Sequence, residues 1–391
     1  MSHDTTSGGY SSSMRLILVL SGTWLLGACG GDLARSSPGG VTEAGAPIAF
    51  DAGPVPPSVD AQPTPIVDAS QPTPIVDAQP IPPPSSDSGP VNGGCPSPAK
   101  PGTTPTLLGQ TMSAAFIAVD CSTLYVAPYE VGVVTAFSLA DGSSRTLNPV
   151  AATTLAIDAT RVYSVSPSGG NEPQGLVIAC PKTGCGAGYT TLASGQTGVW
   201  GVAVDDASVY WTVQGPSASV LKAPLSGGPP VTLVADGGGA NVVAVAGGNV
   251  FYAGINSGSG GSALLMSVPV AGGSPTVWFT PTTGNSVEAL ATDADNVYWA
   301  TTDGLVYELP LVPGPRVTLA SGQGNGVSTI ATDAQYVYWG TSAGDLVKAP
   351  IGGGKLTTLA SGQTPVTSVA VDTDNVYWSS FGAGTVMMRV K

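Results

Sequence analysis

A tyrosine-centred motif returns seven times between residues 118 and 380, and no other feature restricts the possible folds so tightly. Clear copies read ATDADNVYWAT (291–301), ATDAQYVYWGT (331–341), AVDTDNVYWSS (370–380) and AVDDASVYWTV (203–213). Weaker copies read AVDCSTLYVAP (118–128), AIDATRVYSVS (156–166) and AVAGGNVFYAG (244–254). The tyrosines picked out are Tyr125, Tyr163, Tyr210, Tyr252, Tyr298, Tyr338 and Tyr377, at a mean spacing of 42 residues. Each unit holds four short β-prone runs divided by Gly, Pro, Asp or Ser; the sixth reads VSTIATD, VYWGT, DLVKAPI and KLTTLAS. Four strands per unit of this length predict a blade of a β-propeller. The expected fold class is therefore all-β, a seven-bladed β-propeller of four-stranded blades over residues 103–391.

The two ends of this region indicate how the ring would close. The last unit stops at Val386-Met387-Met388-Arg389-Val390-Lys391, a third strand with no fourth after it. Pro105-Thr106-Leu107-Leu108-Gly109-Gln110 matches the fourth-strand pattern TLASGQ of residues 191–196, 318–323 and 358–363. The N-terminal strand is thus expected to complete the C-terminal blade, leaving no sheet open between blades. Composition agrees: 54 Gly and 35 Pro disfavour a helical bundle. A balance of 25 acidic to 12 basic residues, net −13, argues against nucleic acid as a partner. The single histidine, His3, precedes the expected cleavage point, so no histidine-based catalysis or metal ligation is expected.

Residues 1–28 read as a signal peptide: Met14-Arg15, an apolar run from Leu16 to Leu26, then Gly27-Ala28-Cys29. As a helix that run spans only about 16 Å, half of a bilayer core. Leu26-Gly27-Ala28-Cys29 resembles the lipobox of bacterial lipoproteins, which implies cleavage before Cys29 and acylation of its thiol. Residues 29–102 then form a Pro/Asp-rich linker. Positions 30–102 hold 17 prolines, one aromatic and a duplication of QPTPIVDA at 62–69 and 71–78, the signature of a disordered tether.

The string VYWTVQGPSASVLKAPLSGG (209–228) resembles the YWTD repeat of lipoprotein-receptor propellers, and more closely the repeat lipoproteins of myxobacteria. The resemblance implies a propeller. It differs from the receptor repeats in having seven units where they have six. The aspartate ending the motif is also replaced, by Val213, Thr301, Thr341 and Ser380.

Four cysteines follow Cys29. Cys180 and Cys185, in CPKTGC, are expected to bridge a hairpin across its ladder, and Cys95 and Cys121 to pair, pinning the linker beside the first blade. Aspartates five residues before the repeated tyrosine (Asp120, Asp158, Asp205, Asp293, Asp333 and Asp372) recur too regularly for a binding site and are expected to cap turns. A site should break the repeat. Candidate ligand-binding residues on the face of the second-to-third strand loops are Tyr129, Glu130, Trp200, Asn241, Asn285, Asn325 and Phe381, with expanded loops at 167–175 and 256–262.

The function expected from these features is a lipid-anchored binding or scaffold module of the cell envelope. It would be a monomer held at the outer membrane, facing periplasm or cell surface, and would engage a protein, peptide or glycan. No catalytic residue, metal or cofactor is expected. The rival is a propeller lactonase or lyase using a divalent cation and carboxylates such as Glu130, Glu172 and Glu288. A surface coat without a saturable ligand is a third reading.

Overall fold

The computed structural model describes residues 102–111, 114–128, 133–148, 152–166, 175–186, 188–214, 218–235, 241–254, 262–324, 326–380 and 382–391. The signal segment, Cys29, Cys95 and the linker lie outside them. The described residues form 28 strands in seven four-stranded antiparallel sheets, each of them a blade.

The innermost strands, one from each blade, are β2 (Ala114–Val119), β6 (Thr154–Ile157), β10 (Val199–Val204), β14 (Val243–Ala246), β18 (Val287–Thr292), β22 (Val327–Thr332) and β26 (Val366–Val371). Second strands carry the motif: β3 (Thr123–Pro128), β7 (Arg161–Ser166), β11 (Ser208–Val213), β15 (Asn249–Gly254), β19 (Asn296–Thr301), β23 (Tyr336–Thr341) and β27 (Asn375–Ser380). Third strands include β8 (Leu176–Pro181), β20 (Val306–Pro310) and β28 (Thr385–Val390).

Ring closure follows the expected route. The first strand, β1 (Thr106–Gln110), is the outer strand of the last blade, in the order β1-β28-β27-β26. Its register pairs Thr106 with Met388, Leu107 with Met387, Gly109 with Val386 and Gln110 with Thr385, with a shift between Leu107 and Gly109. Glycine is required at the shift because a Cβ on Gly109 would lie 2.5 Å from the Phe137 ring of the first blade. At the inner end of the same seam, the Ile117 amide donates to Ser368 Oγ at 3.2 Å.

The recurring aspartate is structural, and its role extends beyond the turn. Asp205 Oδ1 accepts the amides of Ala207 (2.9 Å) and Ser208 (2.7 Å), while Oδ2 accepts the hydroxyl of Tyr210 at 2.7 Å. The same Asp–Tyr bond joins Asp120 to Tyr125, Asp158 to Tyr163, Asp293 to Tyr298, Asp333 to Tyr338 and Asp372 to Tyr377. Each carboxylate thus fixes a two-residue hairpin and satisfies a buried phenol. Burial together with the neighbouring carboxylate pushes these hydroxyls far above the ordinary tyrosine range.

The fourth unit departs from the expected register. Phe251, not Tyr252, occupies the tyrosine position: Phe251 pairs with Ser267 as Tyr210 pairs with Lys222. Ala246 stands where the aspartate would be, four residues before Val250 as Asp205 is before Val209. Both polar partners are lost together, so neither is left unsatisfied. Tyr252 takes the place of the tryptophan. Its buried hydroxyl has no hydrogen-bond partner among the described residues, and burial pushes it up to about 12.

The tryptophans Trp211, Trp299, Trp339 and Trp378 are fully buried, as expected of a residue that fills each seam. Trp211 Nε1 donates to Gln196 Oε1 of the preceding blade at 3.2 Å, and Trp339 Nε1 to Gln323 Oε1 at 3.0 Å. In these two seams the glutamine of TLASGQ therefore clips one blade to the next, whereas Nε1 of Trp299 and of Trp378 has no partner among the described residues. The motif's glutamine is held by close backbone approach, since a Cβ on Gly344 would lie 1.9 Å from the carbonyl oxygen of Gln363.

Cys180 and Cys185 form a disulfide with a Cα–Cα distance of 5.3 Å. The bridge differs from the expected cross-ladder link. Cys185 lies in the turn after β8, short of the next strand, and its amide docks on Leu147 O of the first blade at 3.1 Å. Cys121 is also disulfide-bonded.

Candidate functional site

The seven inner strands surround a cavity of about 180 Å³ on the propeller axis. Its lining comes from β2, β6, β10, β14, β18, β22 and β26. Where these strands begin, on the face that also carries the second-to-third strand loops, five of them shift register: β2, β10, β18, β22 and β26. A bulge leaves one residue unpaired and re-aims its side chain. In three consecutive blades the residue skipped in the register is Glu288, Ser328 and Thr367, and all three line the cavity.

Among the described residues Glu288 is the only charged side chain in this lining. It makes no hydrogen bond or ion pair among the described residues. The side chain is exposed to the channel, and partial desolvation by the surrounding wall raises its pKa above the usual glutamate value. The surrounding hydroxyls already have uses. Ser328 Oγ donates to Val366 O and lies 3.2 Å from Gly340 O, Thr367 Oγ1 lies 3.2 Å from Ser379 O, and Thr154 Oγ1 donates to Trp200 O at 2.7 Å. With their protons given to carbonyls, these oxygens present lone pairs to the channel. Beneath the polar mouth the lining turns aliphatic, with Ile117, Leu155, Val202, Leu290 and Ile330.

Of the residues expected from sequence to bind a ligand, Tyr129, Glu130, Asn325 and Phe381 lie outside the described residues, as do most of both expanded loops and Glu172. Asn241 lines the cavity, but its Oδ1 accepts from Gln214 Nε2 at 2.6 Å, which ties two loops together. Asn285 is held on its own loop, donating to Thr282 Oγ1 at 2.7 Å and accepting from Thr302 Oγ1 at 3.3 Å. Trp200 is half-buried in the β10 bulge, and neither it nor Asn285 reaches the cavity lining. Asn241 and Glu288 are thus brought together, whereas Asn285 is held in its loop and Trp200 lies in the β10 bulge, away from the lining. Ser328 and Thr367 were missed because they read as ordinary alternation in a strand. The available signal was the contrast of Val-Glu-Ala with Val-Ser-Thr and Val-Thr-Ser at the same place in successive units.

A larger hollow of about 460 Å³ lies on the opposite face, against Asp120, Tyr125, Arg145 and Lys182. Its single carboxylate is already paired, and its second cation is bound to the backbone. Lys182 Nζ pairs with Asp120 Oδ2 at 2.8 Å, and Arg145 donates to the Lys182 carbonyl. We therefore favour the axial cavity, where the charge is unanswered. Among the described residues no three His, Cys, Asp or Glu side chains are grouped to hold a metal, and no helix is long and apolar enough to cross a membrane.

Comparison with solved structures places the chain among propellers. It is similar to the WD40 β-propeller domain of Doa1 (15% identity over 72% of this chain and 94% of that one, TM-score 0.57). It is also similar to the computationally designed Ika8 protein (16% identity, 73% and 98%, TM-score 0.50). A chain of a nidogen/laminin complex matches at 19% identity over 59% of this chain and 89% of that one, with a TM-score of 0.45. No protein-family model matches the sequence. No curated protein matches it either.

Proposed function

We propose that this protein is an exported, lipid-anchored propeller that acts as a non-catalytic binding module at the cell envelope, with its ligand seated at the mouth of the axial channel. The observation that carries this reading is Glu288, a lone unpartnered carboxylate where neighbouring blades have Ser328 and Thr367. The repeated aspartates that serve the scaffold are spent on tyrosine hydroxyls and turn amides, whereas this carboxylate leaves the pattern and lines the channel without a partner among the described residues.

Export is supported by the signal-like segment and by the Cys180–Cys185 disulfide, a bond that persists in oxidising compartments. The lipobox-like Leu26-Gly27-Ala28-Cys29 supports anchoring through acyl chains, and the proline-rich linker would hold the ring off the membrane, most directly the outer membrane. The resemblance of its repeat to that of myxobacterial repeat lipoproteins is consistent with this reading.

The test is metabolic labelling with a fatty acid in cells making the full chain, beside Cys29→Ala. The wild type should be labelled and sediment with membranes, and the variant should be unlabelled and released. Labelling that survives the substitution would refute the anchor.

A further inference from the structure

We infer that the channel mouth is a site for an alkylammonium ion, its NH₃⁺ head held by Glu288, Ser328 and Thr367. The inference rests on the reading of this cavity as the binding site and names the ligand class it takes. Four observations converge on that chemistry.

The first is charge. One carboxylate stands in a cavity that no Lys or Arg lines, and it makes no ion pair or hydrogen bond among the described residues. The side chain is exposed to the channel, so a cation entering the mouth can reach the carboxylate and supply the partner it lacks.

The second is the direction of the hydrogen bonds. The hydroxyls beside Glu288 spend their protons on backbone carbonyls: Ser328 on Val366 O, Thr154 on Trp200 O, and Thr367 towards Ser379 O at 3.2 Å. They offer acceptors only. A ligand that is all donor at its head, as an ammonium with three N–H bonds is, matches a carboxylate followed by such oxygens on the next two blades. Beside Glu288 an anion would meet the carboxylate and these lone pairs; the hydroxyls of the lining that keep a proton, Thr329 and Ser368, accept the Val369 and Ile117 amides and lie one residue further along their strands.

The third is the layering. Leu155, Val202, Leu290 and Ile330 lie one step further along their strands from the mouth, so a methylene chain behind the head is received by an aliphatic wall. A bare metal ion has no use for that wall, and one carboxylate supplies too few charged ligands for tight calcium binding. The fourth is the net charge of −13 over the whole chain, which favours the approach of cations.

The chemistry is shared by free diamines and lysine side chains, and two probes separate these sources. Titration calorimetry of the full-length protein with cadaverine and with Nα-acetyl-lysine methylamide should give saturable binding for at least one; which one binds identifies the source. Glu288→Gln, which keeps size and removes charge, should weaken that binding about tenfold or more while leaving the melting temperature within a few degrees. Thr367→Val should weaken it less. Binding of neither amine would overturn the inference, as would equal binding by Glu288→Gln or saturable calcium binding that depends on Glu288 in the absence of amine binding. The wider reading fails separately: it falls only if peptides and glycans of a broad panel also show no saturable binding to the wild type.

Discussion

The phenol of Tyr377 donates to Oδ2 of Asp372 at 2.7 Å while Oδ1 of the same carboxylate accepts the amides of Asp374 (2.9 Å) and Asn375 (2.7 Å). One side chain therefore closes a hairpin and satisfies a hydroxyl that has no access to water. The fourth blade shows what happens without it: Ala246 and Phe251 replace both partners and the hairpin still forms, on the left-handed Gly247-Gly248 pair (φ 55° and 74°).

Asp372→Ala should accordingly destabilise the protein by about 2–3 kcal/mol, because it removes the turn contacts and strands the Tyr377 hydroxyl. Adding Tyr377→Phe should recover about 1 kcal/mol of that loss, in imitation of the fourth blade. Denaturant unfolding of the two single variants and the double variant measures the coupling; strictly additive losses would show that the bond does not link the two sites.

Acid sensitivity should follow from the same carboxylates. For Asp120, burial alone would raise the pKa, but Lys182, the Ser122 amide and Tyr125 together outweigh it and hold the group below its ordinary value. Asp333 behaves alike, with Lys391 and the amides of Gln335 and Tyr336 overcoming burial. A carboxyl whose pKa is lowered on folding contributes stability that is complete above the unfolded value and is lost as pH falls through the folded one. The melting temperature should thus be level near neutrality and drop below about pH 4, and Lys391→Met should make the drop shallower.

Glu308 has the opposite sign. It is 5% exposed, burial pushes its carboxyl up, the Gly352 amide at 2.8 Å offsets part of that, and nearby Asp293 adds to it. Its contribution is present at low pH and lost as pH rises through the folded value. Glu308→Gln keeps an acceptor for Gly352 and removes the charge, so it should raise the melting temperature at pH 8 and leave it unchanged near pH 4. An equal shift at both pH values would mean that charge is not the cause.

Gly109→Val should lower stability by about 1–3 kcal/mol, since the added side chain must displace the Phe137 ring from the closing seam. Thermal unfolding reads the change. A neutral outcome would imply that β1 does not lie against the first blade.

Much of the architecture was legible because a ring of like sheets writes its period into the chain. The pairing of β1 with β28 could be read from TLLGQ alone, since it repeats the TLASGQ pattern of other outer strands. The register of the fourth unit was misread because letter identity favoured Tyr252. The environment follows side-chain position instead, and the change of Asp to Ala246 carried the information. The site was harder to see. A bulge changes which way Glu288, Ser328 and Thr367 point without altering the alternation of residues, and Asn241 and Asn285 look like free ligand groups until their partners on neighbouring loops are known.

The account depends on a closed ring whose inner strands converge on Glu288, and one cross-link tests the closure. Leu107 and Met387 are register partners across the closing seam. With Leu107→Cys and Met387→Cys introduced together, mass spectrometry of a non-reduced digest should find the two peptides joined through positions 107 and 387. Recovery of both cysteines as free, alkylated thiols from folded protein would contradict the closed ring.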